Sequence, residues 1–267
     1  MKHEIILPPP HLKRFVRYFW TIDFFGIAED VSTFKVFARR FPRIVFQNYN
    51  GHSAIYNGPN KLPMSYIGGL NTQPYTCNIL PSISVTGVSF YPSAIKLLFR
   101  TDGHELVNEL PDLENFVSKE LTCRVIDAHT QGEKIKIIID YLTRMIKNVK
   151  SNNISENAWQ FVSVLDENSK LQDLPEIFNV SERQLIRNFY STVGMSPKQF
   201  LRITRFEKSI QLMATHNEDN LSNIAYTLKY SDQSHFIREF KEFSHYTPLK
   251  YLKQQKLYQE NSAIMVR

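Results

Sequence analysis

Leu185-Ile186-Arg187-Asn188-Phe189 and Phe236-Ile237-Arg238-Glu239-Phe240 are two versions of one pattern, apolar-Ile-Arg-x-Phe. Each is followed at the same distance by a hydroxyl-proline pair, Ser196-Pro197 and Thr247-Pro248. Each is preceded by a hydrophobic run ending at a serine, Ser181 and Ser231. Fifty residues separate the serines and fifty-one separate the pattern cores, so the second copy carries one extra residue in between. A unit used twice, with an arginine on the same face each time, implies a surface that meets a repeating partner. The DNA major groove is such a partner.

Within the first copy, Leu171, Leu174 and Phe178 fall on one face of a short helix. Asn179-Val180 then reads as a tight turn, because asparagine tolerates left-handed φ better than most non-glycine residues. Ser181 caps the next helix, and Gln184 three residues on completes a capping-box pattern. On that helix Leu185, Phe189 and Thr192 share the inward face, while Arg183, Ile186, Arg187 and Tyr190 lie opposite. The second copy repeats the plan. Leu221, Ile224, Ala225 and Leu228 form a helix, Lys229-Tyr230 turns, and Ser231 precedes the next helix. There Phe236, Phe240 and Phe243 point inward and Ser234, Ile237, Arg238 and Lys241 outward.

Between the copies, Pro197 to about Thr215 reads as one long helix with Phe200, Ile203, Phe206 and Ile210 on one face. Its length suits a spacing of the outer helices near one turn of DNA, about 34 Å. Lys198, Arg202, Arg205 and Lys208 read as a solvated or phosphate-facing stripe along it.

Upstream, Arg43–Asn48, Met64–Ile67 and Ile83–Phe90 are rich in β-branched and aromatic residues and are separated by turn clusters such as Asn57-Gly58-Pro59-Asn60. Short strands with many turns imply an antiparallel barrel or sandwich. From Pro92 the period becomes helical. Between about Gly132 and Lys150 a stripe of Ile135, Ile138, Ile139, Leu142, Ile146 and Val149 serves either the domain's own core or a dimer seam. Lys150-Ser151-Asn152-Asn153 reads as a linker, and everything after it as helix.

The 267 residues include 19 Phe and 13 Tyr, enough for two cores, and exclude wholesale disorder. A net charge of +6 is compatible with nucleic acid without requiring it. Two cysteines, Cys77 and Cys123, form neither a disulfide framework nor a metal-site spacing, which points to a reducing cytosol. Neither a signal peptide nor a membrane span of ~20 apolar residues is expected, so the reading is a cytoplasmic protein. Phosphate-loop, nucleophile-elbow and zinc-protease motifs do not occur and the histidines are scattered. No catalytic residue, metal ligand or cofactor is therefore expected.

These features together resemble the AraC/XylS family of bacterial transcription regulators. The residues that carry the resemblance are Ser-x-x-x-Leu-x-Arg-x-Phe, Gly194-Met195-Ser196-Pro197, Ile224-Ala225-x-x-Leu, and Asp232-Gln233-Ser234-His235-Phe236-x-Arg238-x-Phe240-Lys241, with Pro248 and Tyr251 beyond. The likeness spans roughly Ser155 to Lys256. It implies two helix-turn-helix units, at about 170–195 and 220–247, bridged by a linker helix and reading two successive major-groove segments. Carried over by position, Arg183, Ile186 and Arg187 would read bases in the first unit, and Gln233, Ser234 and Arg238 in the second. Ser181, Tyr190, Lys198, Ser231 and Lys241 would meet the DNA backbone. Arginine suits guanine, glutamine adenine, and isoleucine a thymine methyl. Three positions depart from the family: Lys229 and His245 stand where glycine is usual, and Pro175 where alanine is.

Leu7-Pro8-Pro9, Tyr18-Phe19-Trp20 and Gly87-Val88-Ser89-Phe90-Tyr91-Pro92 are similar to a domain that precedes some AraC-type readers. That likeness implies a small cupin-like β-barrel with trailing helices. The expected fold is thus α+β in two domains. Residues 1–150 would form an antiparallel, cupin-like barrel with trailing helices, for sensing and dimerisation. Residues 151–267 would form an all-α double helix-turn-helix. The expected function is a sequence-specific regulator of transcription, an activator, whose partners are double-stranded DNA, RNA polymerase, a small-molecule effector and a second copy of the chain. Two other classes compete. One is a cupin-type enzyme fused to a DNA-binding module. The other is a repair methyl acceptor, which needs a reactive thiol in a basic setting.

Overall fold

The computed structural model describes residues 2–24, 32–149, 170–215 and 221–254, and the backbone of 263–266. The linker expected at Lys150–Asn153 and the polar cluster Asn217–Asn220 lie outside the described residues. In chain order the strands are β1 (Lys2–Ile6), β2 (Val16–Asp23), β3 (Ser32–Val36), β4 (Arg43–Asn48), β5 (Ile55–Asn57), β6 (Asn60–Lys61), β7 (Ser65–Gly68), β8 (Tyr75–Ile79), β9 (Ser84–Phe90) and β10 (Ala263–Val266). They make two five-stranded antiparallel sheets, ordered β1-β2-β9-β4-β7 and β10-β3-β8-β5-β6.

The central strands of the first sheet are buried on both faces because they send large apolar side chains to both sides. In β4, Ile44 and Phe46 go to one side and Val45 to the other; β2 separates Phe19 from Trp20 in the same way. One side packs beneath helices α1 (Pro92–Phe99), α2 (Lys119–Asp127) and α3 (Gln131–Lys147). The other meets Phe34, Val36, Cys77 and Ile79 of the second sheet. Full burial of each large apolar side chain contributes about 1.5–3 kcal/mol, which fixes the register of this central layer. Gly87 is required here, since a Cβ on it would lie 2.2 Å from the Trp20 indole.

The expected closed barrel does not form. Sheet order runs from edge to edge in both sheets, and among the described residues no strand bridges them. The reason lies at β7, where a loop takes the hydrogen bonds that closure would need. Ile67 N–H donates to the Pro111 carbonyl at 3.0 Å and Gly69 N–H to that of Glu109 at 3.3 Å. The apolar stripe of α3 is also settled. Ile135, Ile138 and Leu142 are buried in the N-terminal core, with Ile139, Ile146 and Val149 packed against it, so the stripe is not a free dimer seam. Nor is the C-terminal part all helix, because β10 pairs antiparallel with β3.

The remaining helices are α4 (Leu174–Ile177), α5 (Glu182–Val193), α6 (Pro197–Thr215), α7 (Leu221–Thr227), α8 (Gln233–Ser244) and α9 (Pro248–Gln254). The short α4 starts beside Pro175, as a proline in a first turn allows. Phe200, Ile203, Phe206 and Ile210 of α6 form the spine of the core. Phe200 meets Phe189 of α5 at 5.4 Å between ring centroids, and Phe206 meets Phe240 of α8 at 5.2 Å. The long helix therefore fixes both shorter ones. Among the described residues no helix is long and apolar enough to cross a membrane.

Candidate nucleic-acid interface

Each of α5 and α8 is preceded by the same turn. Val180 N–H donates to the Pro175 carbonyl and Tyr230 N–H to that of Ala225, both at 3.0 Å. The residue before each donor is left-handed without being glycine: Asn179 at φ 49° and Lys229 at φ 57°. His245 closes α8 at φ 60°, where Gly194 closes α5 at φ 97°. The two non-glycine departures from the family pattern thus adopt the glycine conformation, at a cost of roughly 1–2 kcal/mol each.

The extra residue of the second copy can now be placed. The turns are offset by fifty residues, but the caps are not equivalent serines. Ser181 caps α5, with Gln184 completing the capping box. Asp232 caps α8, accepting from His235 N–H at 2.7 Å. Ser231 is the inserted residue, and its hydroxyl lies 3.2 Å from Asp232 and 3.1 Å from His235 Nδ1. Beyond the caps, α5 and α8 have 12 residues each and match at an offset of fifty-one, so Arg183 corresponds to Ser234, Arg187 to Arg238 and Tyr190 to Lys241.

The structure brings the first set together. Arg183, Ile186, Arg187 and Tyr190 are exposed and line one surface depression with Glu182. Ile186 is 47% exposed, one of several large apolar side chains left at the surface among the described residues. In the second unit Gln233, Ser234, Arg238 and Lys241 are exposed, whereas Ile237 is part-buried against the core. Among the described residues Arg183, Arg187 and Arg238 make no ion pair, so their guanidinium groups are available to acceptors. Lys198 is exposed at the start of α6. Asp232 is held below its ordinary carboxylate value, first by the backbone bond from His235 and also by Ser231 and Arg238.

Arg202 and Arg205 do not form a solvent-facing stripe. Arg202 donates through Nε to Glu239 at 2.8 Å and through Nη2 to Glu242 at 2.6 Å, and Arg205 lies 3.6 Å from Glu239. Glu239 is 2% exposed and also accepts from the Tyr230 hydroxyl at 2.8 Å. The buried carboxylate draws both guanidinium groups of the adjacent helix to it, while each keeps part of its surface in water. The network ties α8 to α6 independently of the aromatic core. Sequence periodicity hinted at it, since Glu239 lies three residues after Phe236, beside the inward face.

The N-terminal domain holds the backs of both α5 and α8. Gly103 approaches Gly194 so closely that a Cβ on Gly194 would sit 2.5 Å from the Gly103 carbonyl oxygen. His104 stacks on Tyr190 at 5.1 Å, and Lys96 donates to Ser191 at 3.1 Å. At the other helix, Ala38 N–H donates to the Phe243 carbonyl at 3.0 Å, with Phe37 buried among Phe206, Tyr246 and Tyr251. Arg40 clasps α6, donating to Glu207 from its backbone N–H at 3.0 Å and from Nε at 2.8 Å, and to Thr204 at 3.0 Å. Nothing in the sequence pattern signalled these contacts. Among the described residues no three His, Cys, Asp or Glu side chains converge as a metal ion would require.

Residues 174–254 match a helix-turn-helix domain family, over the same two units whose turns and caps were described above. The C-terminal part is an AraC-type helix-turn-helix domain. Residues 4–112, ahead of this AraC-type domain, match a domain of unknown function, DUF6597. The chain is 27% identical over 150 residues to an HTH-type transcriptional regulator of Staphylococcus aureus strain MSSA476, covering 50% of this chain and 20% of that one. It is 33% identical over 76 residues to the HTH-type transcriptional regulator MtrA of Neisseria gonorrhoeae, covering 28% of this chain and 25% of the relative. The chain thus spans about a fifth to a quarter of these relatives' lengths. Among solved structures, ToxT of Vibrio cholerae is similar over 88% of this chain and 98% of its own, at 14% identity and a TM-score of 0.46.

Proposed function

We propose that the chain is a sequence-specific DNA-binding transcription regulator whose N-terminal domain, within about residues 1–150, binds a small-molecule effector. One observation supports the DNA-binding reading above the others: two equivalent helices of 12 residues present Arg187 and Arg238 at matching exposed positions, neither within ion-pair distance of a carboxylate among the described residues. On this reading Arg183, Ile186 and Arg187 address one major-groove segment, and Gln233, Ser234 and Arg238 the next. Because Arg183 corresponds to Ser234 and Tyr190 to Lys241, the two segments differ in sequence, and one chain recognises an asymmetric site. Ser181, Tyr190, Lys198, Ser231 and Lys241 serve the phosphates. Activation of transcription, contact with RNA polymerase and pairing of two chains rest on the family resemblance alone, and a promoter–reporter fusion reads the sign of regulation.

The reading is tested by selecting bound DNA from a random pool with the full chain, then measuring variants on the selected site. Arg238→Ala is expected to cost about 1–3 kcal/mol on that site and to relax base preference at one position. If binding to selected and scrambled DNA falls equally, Arg238 does not read a base. An enriched pool without a shared motif would remove the sequence-specific reading altogether.

A further inference from the structure

Between the two sheets lies a cavity of about 160 Å³. Its apolar walls include Trp20, Phe24, Phe34, Val45 and Tyr66, and Cys77 lines it as a neutral thiol, because burial pushes its pKa up to about 11. Four arginines also line it: Arg17, Arg39, Arg40 and Arg43. Among the described residues Arg40 is the one of the four within ion-pair distance of a carboxylate, Glu207. For the other three, no carboxylate lies within ion-pair distance among the described residues. Their partners are neutral. Arg39 and Arg43 both donate to the Tyr75 hydroxyl, at 3.0 and 3.2 Å, and Arg17 donates to Ser89 at 3.3 Å while lying over the Phe41 ring.

Arg17, Arg39 and Arg43 share this partly dry cavity with one carboxylate, Glu207, which Arg40 already holds, and that excess of positive charge is costly for a fold. Arg39 is 6% exposed, and its pKa is pushed down to about 10 by burial and by the neighbouring Arg43. Nε of Arg43 is buried and has no hydrogen-bond partner among the described residues. Buried donors without acceptors are rare in folded proteins, and buried like charges rarer still. Local features that lower stability without a structural return mark functional sites. A carboxylate would supply what is missing, since its two oxygens can accept from several guanidinium N–H groups at once. The remainder of such a molecule would face the aromatic walls. A cavity of roughly 150 Å³ admits benzene, which sets the scale of the apolar body.

Building on the effector reading above, we infer that this cavity binds a small organic carboxylate, its charge held by Arg39, Arg43 and Arg17 and its aryl-sized apolar body lying between the sheets. The site also touches the DNA-binding domain directly. Glu207 and Gln211 of α6 line the same cavity, and Glu207 is the residue Arg40 clasps. A bound anion brings negative charge beside Glu207 and competes with it for Arg17 and Arg40. Occupancy is thereby coupled to the helix that sets the two reading helices.

The test is thermal melting of the full chain at neutral pH with benzoate and octanoate, against benzamide and octanamide, and against inorganic phosphate. At tenfold excess over Kd, one or both carboxylates are expected to raise Tm by roughly 3–6 °C while the amides and phosphate do not. Arg43→Gln is expected to abolish that shift, with a ligand-free Tm at or above that of the parent. The inference is overturned if neither carboxylate shifts Tm, if the amides or phosphate alone do as well, or if Arg43→Gln melts several degrees lower without ligand. DNA binding by the same preparations separates the two readings. Sequence-specific binding with no carboxylate response removes only the ligand, whereas carboxylate binding without sequence-specific DNA binding removes only the regulator.

Discussion

Replacing Glu239 with alanine tests whether a buried carboxylate holds the second reading helix in place. The carboxylate accepts from Arg202 Nε and from the Tyr230 hydroxyl, each at 2.8 Å, with Arg205 at 3.6 Å. A hydrogen bond to a charged group contributes about 1.5–3 kcal/mol net, and removing one member of a buried pair costs about 3–5 kcal/mol. Arg202 and Arg205 keep 26% and 23% of their side-chain surface exposed, so both can turn toward water. That places the loss at the lower end, about 3 kcal/mol. Tyr230 cannot escape in this way. It is 7% exposed, and burial, with Glu239 beside it, raises its pKa, so it remains a donor that would lose its acceptor. Glu239→Gln keeps an acceptor for Tyr230 but removes the charge, and should fall between the two. Urea unfolding of the full chain, followed through both variants, gives the magnitudes, and affinity for the selected DNA should fall with them. A loss below about 1 kcal/mol for Glu239→Ala, the level of an exposed ion pair, would refute the assignment of a structural role to this network.

Gly194→Ala combines a left-handed φ of 97° with a Cβ placed 2.5 Å from the Gly103 oxygen, and is expected to cost about 2 kcal/mol or more in thermal melting. A variant as stable as the parent would show that the two domains do not meet there. Asp232 is a carboxylate whose folded pKa lies below its ordinary 3.8, so its stabilising effect is present at neutral pH and lost as pH falls through the folded value. Asp232→Ala should therefore destabilise the domain at pH 7 and converge with the parent in strong acid; a penalty independent of pH would contradict the capping role. Lys241→Ala should weaken binding to selected and scrambled DNA alike and flatten the salt dependence by about one unit of slope. An unchanged slope would take Lys241 out of the phosphate contacts.

Much of the helix-turn-helix part was legible because it depends on local chemistry. Capping residues, left-handed turn positions and 3.6-residue periodicity act over a few neighbours, so Ser181 with Gln184, Asn179, and the inward sets Leu185/Phe189 and Phe236/Phe240 could be read in advance and lie where expected. The second cap was not legible, because Ser231 and Asp232 are both good caps and only the backbone geometry chooses Asp232. The strand Arg43–Asn48 was likewise visible from composition, but whether its sheet closed was not. Closure depends on which group reaches the β7 edge, and that group is a loop some forty residues later in the chain.

By itself, then, the sequence determined that two similar helical units exist, which faces of them are apolar, and which side chains are left to meet a partner. These follow from the period of a helix and the conformational preferences of single residues. Only the tertiary structure decided which charges are spent inside the molecule. Arg187 and Arg202 both sit on helices as charged residues among apolar ones, yet one faces solvent and the other is held by a buried glutamate from a different helix. Arg43 begins β4 of the central sheet and Arg39 lies just before it, and both converge on Tyr75, more than thirty residues away. Electrostatic partners are set by distance in space, and the helical repeat and the pleat carry no record of what packs across from them. The reading helices were therefore visible before the fold was known, and the charged cavity behind them was not.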